Sequence, residues 1–211
     1  MEICRISFRL QHSSETRLNL FDYKRAVALG KFRSDCASDN IDTLIRLVWE
    51  TPQGEIIECG SYRCGVSIAM AAASEYYNLN KTVYAFDTFG GLPYGEGVGF
   101  ENFAQTDFVE IKAATAPYKQ LRLVQEKHED TVPHFSTFPI SLLFMDSDHY
   151  NSHVVCLTKF WPMLVSGGYA VFHDADLPGV QQAIEEVIPQ SERQKRGRFH
   201  FSPNLEYIVK P

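Results

Sequence analysis

GEIIECGSYRCGVSIAMAAASEYY (residues 54–77) runs from strand through glycine turn to helix without a break. GEIIEC (54–59) is a β-rich apolar run, and VSIAMAAASEYY (66–77) carries a helical pattern. Between them, Gly60 permits a sharp turn with close backbone approach, and Gly65 lets the helix pack on the strand. The alternation continues outward. KTVYAFD (81–87), QLRLVQE (120–126), ISLLFMD (140–146) and GYAVFH (168–173) read as strands. Helices are expected within 101–117, over Val154, Leu157, Trp161 and Leu164 with Pro162 bending the last turn, and over VQQAIEEV (180–187). Upstream, Ile41, Leu44, Leu47 and Val48 predict a helix from about Asn40 to Glu50, closed by Pro52 and Gly54. Downstream, GRFHFS and LEYIVK around Pro203-Asn204 read as an antiparallel hairpin. Strands alternating with helices imply a mainly parallel, doubly wound sheet. The expected architecture is a Rossmann-like α/β sandwich of seven strands, with a C-terminal antiparallel hairpin. No repeat or linker divides the chain, so one domain is expected over 1–211: a helical extension (1–50) and an α/β core (54–211).

The 211 residues suffice for one substantial core, and 45% hydrophobic with 22% charged residues is ordinary for a globular chain. A net charge of −6 without a long basic face argues against nucleic acid as a partner. The one basic cluster, ERQKRGR (192–198), reads as a solvated loop. Five scattered cysteines are an odd number without zinc-knuckle spacing, which suggests reduced thiols. The N-terminus lacks a signal-peptide pattern and no stretch reaches membrane-spanning length. A cytoplasmic protein without a membrane partner is expected.

Two strands end on carboxylates and histidine: ISLLFMDSDHY (140–150) and GGYAVFHDAD (167–176). In an open α/β sheet the carboxyl ends of strands face the ligand crevice. If these strands are neighbours, Asp146, Asp148, His173, Asp174 and Asp176 gather there as oxygen and imidazole donors suited to a divalent metal. Asp148 and Asp176 are equally readable as helix caps. The turn after the first strand has G-x4-G spacing, neither the G-x-G-x-x-G dinucleotide fingerprint nor a P-loop. Asp87, ending the second strand, suits hydrogen bonding to ribose hydroxyls. Together the two features point to an adenosine-type cofactor.

ECGSYRCGVS, VYAFDTFGGLP, EDTVP, FMDSDHY and GGYAVFHDADLPGV together resemble the macrocin O-methyltransferase family of class I, S-adenosylmethionine-dependent enzymes. The resemblance covers roughly residues 54–190, and many members methylate sugar hydroxyls of natural products with a divalent metal. It implies that Glu58, Gly60, Ser61, Tyr62 and Gly65 surround the methionine moiety and that Asp87 holds the ribose. Thr88 and Phe89 would border the cofactor, and the stretch near Glu126 would line adenine. The metal positions of the family match Asp146, His173 and Asp174. This chain departs at His173, where an acidic residue is usual. That tilts preference from Mg²⁺ towards Mn²⁺, Fe²⁺ or Zn²⁺, leaving the choice between Mg²⁺ and Mn²⁺ open.

His149, three residues after Asp146, titrates near neutrality and is the leading general base, with His128 and His173 as competitors. The glycine-rich loop 90–99, with Tyr94, Phe100 and Phe103, is a candidate cover for the acceptor. The expected reaction is metal-assisted O-methylation of a small hydroxylated molecule, such as a sugar or diol-bearing natural product. An NAD(P)-dependent oxidoreductase and a catalytically inactive cofactor-binding module are the alternatives. Homo-oligomerisation is left open.

Overall fold

The computed structural model describes residue 34, residues 36–91 and residues 106–211. Everything below lies in the unit Ser34–Pro211. Seven strands form one sheet: β1 (Glu55–Cys59), β2 (Val83–Asp87), β3 (Leu121–Gln125), β4 (Ile140–Met145), β5 (Leu164–His173), β6 (Arg196–Phe199) and β7 (Ser202–Val209). Their order is β3-β2-β1-β4-β5-β7-β6. The first five pair in parallel, and β7 pairs antiparallel to both β5 and β6. The expected sheet with its antiparallel hairpin is therefore present. The central strands β1 and β4 are buried almost throughout, as a parallel sheet covered on both faces requires.

The helices among the described residues are α1 (Ser38–Glu50), α2 (Gly65–Tyr76), α3 (Phe108–Thr115), α4 (His128–Thr131), α5 (Tyr150–Phe160) and α6 (Pro178–Val187). α1 is amphipathic and buries Ile41, Leu44, Ile45, Leu47 and Val48, packing on α2. α2 is apolar nearly all round, which suits a helix with neighbours on both sides. Lys81 pins the end of α1 to the start of β2: its buried Nζ donates to Val48 O, Thr51 O and Thr51 Oγ1, each at 2.9 Å. On the other face, Ile57, Cys59, Phe86, Leu143, Met145 and Phe172 meet Cys156, Leu157 and Phe160 of α5 and Val180 and Ile184 of α6. Successive strand residues point to opposite faces, so Glu58 faces away from this core.

Several boundaries differ from expectation. Leu164 opens β5 instead of closing a helix. α5 stops at Phe160, and a 3₁₀ turn containing Pro162 leads into a strand longer than the expected 168–173. The hairpin turns at His200–Phe201, leaving Pro203-Asn204 inside β7. The register shift between Arg198 and Phe199 accommodates a residue that cannot donate to the ladder. Part of the basic run belongs to β6, with Arg196 paired to Glu206. The EDTVP segment holds α4 and a 3₁₀ turn that sequence periodicity is too short to register. Tyr94, Phe100 and Phe103 lie outside the described residues. No described helix is long and apolar enough to cross a membrane.

His153, fully buried on α5, carries a stability prediction. Its Nδ1 lies 3.0 Å from His149 O and 3.2 Å from Ser147 Oγ, and burial pushes its pKa down to about 4. Unfolding restores the ordinary value near 6.5, so this contribution is complete above that pH and lost as pH falls through 4. Denaturant titrations should show about 3 kcal/mol lost between pH 7 and pH 4 on this account. His153→Gln should flatten that slope. An unchanged slope in the variant would assign acid lability elsewhere.

Candidate active site

Because β1 to β5 run in parallel, their carboxyl ends share one edge of the sheet. The strand order reverses direction between β1 and β4, the switch point at which open α/β sheets bind ligands. The backbones almost touch there. Gly60 has φ +93°, and a Cβ on it would lie 2.1 Å from Asp146 O. The N–H groups of Gly60 and Ser61 both donate to Phe86 O, at 2.9 and 3.3 Å, tying the turn across to β2. Each parallel strand is followed by a non-glycine residue of positive φ: Tyr62 (48°) and Cys64 (60°), Phe89 (50°), Glu126 (130°), Asp148 (56°) and Asp174 (45°).

The cofactor candidates converge around Asp87. Its Oδ2 accepts the Tyr62 N–H at 2.7 Å and its Oδ1 the Phe89 N–H at 2.8 Å, so one carboxylate organises the turns after β1 and β2. Burial raises its pKa, opposed by these two bonds. Thr88 Oγ1 donates to Gly91 O, and Phe89 is buried and stacks on Phe108 at 5.0 Å. The N–H of Glu126 donates to Asp87 O at 3.1 Å, while the residue itself is exposed. Glu58 lies buried behind the turn and accepts a hydrogen bond from Ser67 Oγ. Burial pushes its pKa up to about 8, against the Ser67 bond and helped by the charges of Asp146 and Asp87. Ser61 is buried, and Gly65 opens α2 so close to Ser34 that a Cβ would stand 2.7 Å from the serine Cβ.

Asp146, His173 and Asp174 also converge. His173 Nδ1 lies 2.9 Å from Asp146 Oδ1 and 3.1 Å from Asp174 Oδ2. Burial lowers the His173 pKa, but the hydrogen bond to Asp146 and the charges of Asp146, Asp174 and Asp148 outweigh it and raise it to about 9. A proton on the ring thus balances the carboxylates. Asp148 joins electrostatically: burial, with Asp146 and Asp174, raises its pKa to about 6. Asp176 does not join; its exposed carboxylate pairs with Arg198.

His149 precedes α5 and donates its N–H to Ser147 O at 2.6 Å. Burial lowers its pKa, opposed by Glu129 of α4. Burial thus favours the neutral imidazole that a general base requires. His128 is buried beside Phe86 O. Sequence reasoning missed Cys36, whose Sγ donates to Asp146 Oδ2 at 3.5 Å and which groups with Asp146 and His173. Burial, with the charges of Asp146 and Glu58, holds its thiol far above the usual range. Nothing in the spacing around Cys36 signals this contact. Two carboxylates, an imidazole and a nearby thiol are a donor set that fits a divalent ion of the Mn²⁺–Zn²⁺ range better than one of strict oxygen preference.

The family model for macrocin O-methyltransferase matches residues 26–194. Mycinamicin III 3''-O-methyltransferase of Micromonospora griseorubida is 25% identical over 151 residues, covering 63% of this chain and 59% of the relative. The 8-demethyl-8-(2,3-dimethoxy-alpha-L-rhamnosyl)-tetracenomycin-C 4'-O-methyltransferase of Streptomyces olivaceus is 24% identical over 174 residues, covering 74% of this chain and 62% of the relative. The chain thus spans about three fifths of the length of these curated relatives. Among solved structures, the O-methyltransferase NovP superposes with a TM-score of 0.67 at 20% identity, over 82% of this chain and 79% of its own. That likeness shows the fold, a Rossmann-like class I methyltransferase sheet.

Proposed function

Because the chain belongs to the macrocin O-methyltransferase family, we propose that it transfers a methyl group from S-adenosylmethionine to a hydroxyl of a small molecule, assisted by a divalent ion. The observation that carries this reading is the backbone contact of Gly60 with Asp146, which sets the Asp87-tied turns directly beside the carboxylate–imidazole group. The acceptor is inferred to be a hydroxyl on a sugar-bearing natural product, by extension from the rhamnosyl acceptor named for the Streptomyces olivaceus relative.

S-adenosylmethionine supplies an electrophilic methyl group on a sulfonium. Asp87 receives the ribose hydroxyls on the lone pairs that Tyr62 and Phe89 leave unused, since each carboxylate oxygen accepts more than one hydrogen bond. Glu58 stands behind Gly60 and Ser61 as the buried carboxyl that the ammonium of the methionine moiety would hold ionised, with Tyr62 and Gly65 completing the turn. Thr88 and Phe89 border the cofactor, and Glu126 marks the adenine end. Asp146, His173 and Asp174 would hold the divalent ion, which when bound would supply polarisation of the acceptor hydroxyl and a lower pKa for it. These residues thereby align acceptor and donor and balance charge, the main demands of an in-line transfer.

Calorimetry tests the cofactor class. S-adenosylhomocysteine should bind, and NAD⁺ and NADP⁺ should not. Asp87→Ala removes hydrogen bonds to a charged acceptor, each worth about 1.5–3 kcal/mol, and strands the Tyr62 and Phe89 N–H groups. Affinity should fall at least about tenfold. Unchanged affinity in a folded variant would remove Asp87 from the site, and nicotinamide binding would favour the oxidoreductase reading.

His149 is the proposed general base, held neutral by burial. His149→Ala should lower kcat by at least about 10²-fold with little change in cofactor affinity. The low-pH limb of the rate profile should vanish with it. Activity within about twofold of the parent between about pH 6 and pH 9 would move the search to His128 or His173.

A further inference from the structure

On the face of β1 opposite Glu58, three side chains meet that the transfer chemistry leaves unused. Cys59 ends β1, His128 opens α4, and Cys156 lies within α5. Their sulfurs and a ring nitrogen all fall within 4.8 Å of one another, and all three residues are buried. The Phe86 carbonyl lies 3.4 Å from His128 Nε2. With the ring proton held there, the lone pair sits on Nδ1, the carbonyl-backed arrangement common to metal-binding histidines. Glu129, next to His128, is near enough for its charge to act on Cys156.

We propose that Cys59, His128 and Cys156 form a buried site for a soft divalent ion of the zinc class, separate from the Asp146 cluster and independent of the methyl-transfer reading. Thiolate with imidazole is the donor set that selects such an ion over Mg²⁺ or Ca²⁺. Two thiolates, one dication and a neutral imidazole sum to zero charge, so the loaded site can be buried at little cost. Zinc–sulfur bonds of about 2.3 Å place two tetrahedral sulfurs about 3.8 Å apart, so a group already this close would contract by only about 1 Å. Binding forms two metal–sulfur bonds and one metal–nitrogen bond; the two thiol protons pass to solvent, and the ring proton stays on Nε2 facing the Phe86 carbonyl. The bound ion fastens the end of β1, and with it the Gly60 turn, to α4 and α5.

Cadmium is the probe, loaded by refolding the full chain in its presence because the site is closed. Native mass spectrometry and the ultraviolet thiolate-to-cadmium absorption should report an ion bound through sulfur. Cys59→Ser and Cys156→Ser should each abolish the absorption, whereas Asp146→Asn and Cys36→Ser should preserve it. Absence of the absorption in the refolded parent overturns the proposal, as does an absorption that survives Cys156→Ser or disappears with Cys36→Ser. Should a serine variant fail to refold, the cadmium NMR resonance of the loaded parent decides. A position typical of two sulfur ligands supports the site, and one typical of oxygen ligands or a single sulfur overturns it.

Discussion

Asp146→Asn is expected to reduce methyl transfer by on the order of 10³-fold while leaving cofactor binding within a few-fold of the parent. The carboxylate lies 2.9 Å from His173 Nδ1 and accepts from Cys36. An amide keeps the shape but cannot neutralise a dication. Metal assistance supplies several kcal/mol of transition-state stabilisation, and each factor of ten in rate corresponds to about 1.4 kcal/mol. Cofactor affinity should persist because Asp87 and its two backbone bonds are untouched. The same variant has a stability signature. His173 has its pKa raised to about 9 in the fold, so the stability from its pairing is complete below about 6.5 and lost as pH rises through 9. Any destabilisation by Asp146→Asn should therefore be greatest near neutral pH and below, and fade above about pH 9. Full activity of the parent after exhaustive chelation would rule out metal assistance. A variant within about tenfold of the parent would take Asp146 out of the reaction.

Gly60→Ala should be the most damaging single substitution at the cofactor turn. Its new methyl would lie 2.1 Å from Asp146 O, 2.5 Å from Asp146 C and 2.9 Å from Ser147 N. All three are backbone atoms, so no rotamer change relieves the clash; the end of β1 or β4 must move. Alanine at φ +93° adds local strain. Strain and overpacking together cost roughly 2–6 kcal/mol, a large share of a typical domain's roughly 5–15 kcal/mol. The variant should either fail to fold or fold with a displaced turn and at least about 10²-fold weaker S-adenosylhomocysteine binding. Gly167→Ala separates strain from clash: its φ is +79°, but its nearest neighbour is Pro52 Cγ at 3.4 Å. It should melt only a few degrees lower than the parent. Parent-like melting and affinity in Gly60→Ala would refute the close-contact account of the switch point.

The sheet was legible because its strands are short apolar runs ended by glycine or carboxylate, from Glu55–Cys59 to Ile140–Met145. What local pattern could not show was the competition at element ends. Leu164 fits a helical stripe, yet Pro162 stops the helix and the residue pairs with Ile140. Pro203-Asn204 has turn composition, but the ladder from Glu206 to Ser202 absorbs it through a bulge. At the site, Asp146, His173 and Asp174 follow from strand ends, because parallel neighbours bring their carboxyl termini together. Cys36 reaches Asp146 across 110 positions of chain, and Cys59, His128 and Cys156 come from three separate elements. Such contacts are products of packing and leave no spacing to read.

The positive-φ residues at the strand exits set a conflict for anyone improving this protein in the laboratory. Glycine would relax the backbone at Asp148 and Asp174, whose side chains are not fully buried, so a screen for heat tolerance alone would favour it there. Yet Asp148 and Asp174 contribute carboxylates that act on His173. Thermal tolerance and turnover would thus be traded against each other at the same residues. A hardier catalyst is better sought at the amino ends of the strands, for instance at exposed Trp49, where no such exchange is forced.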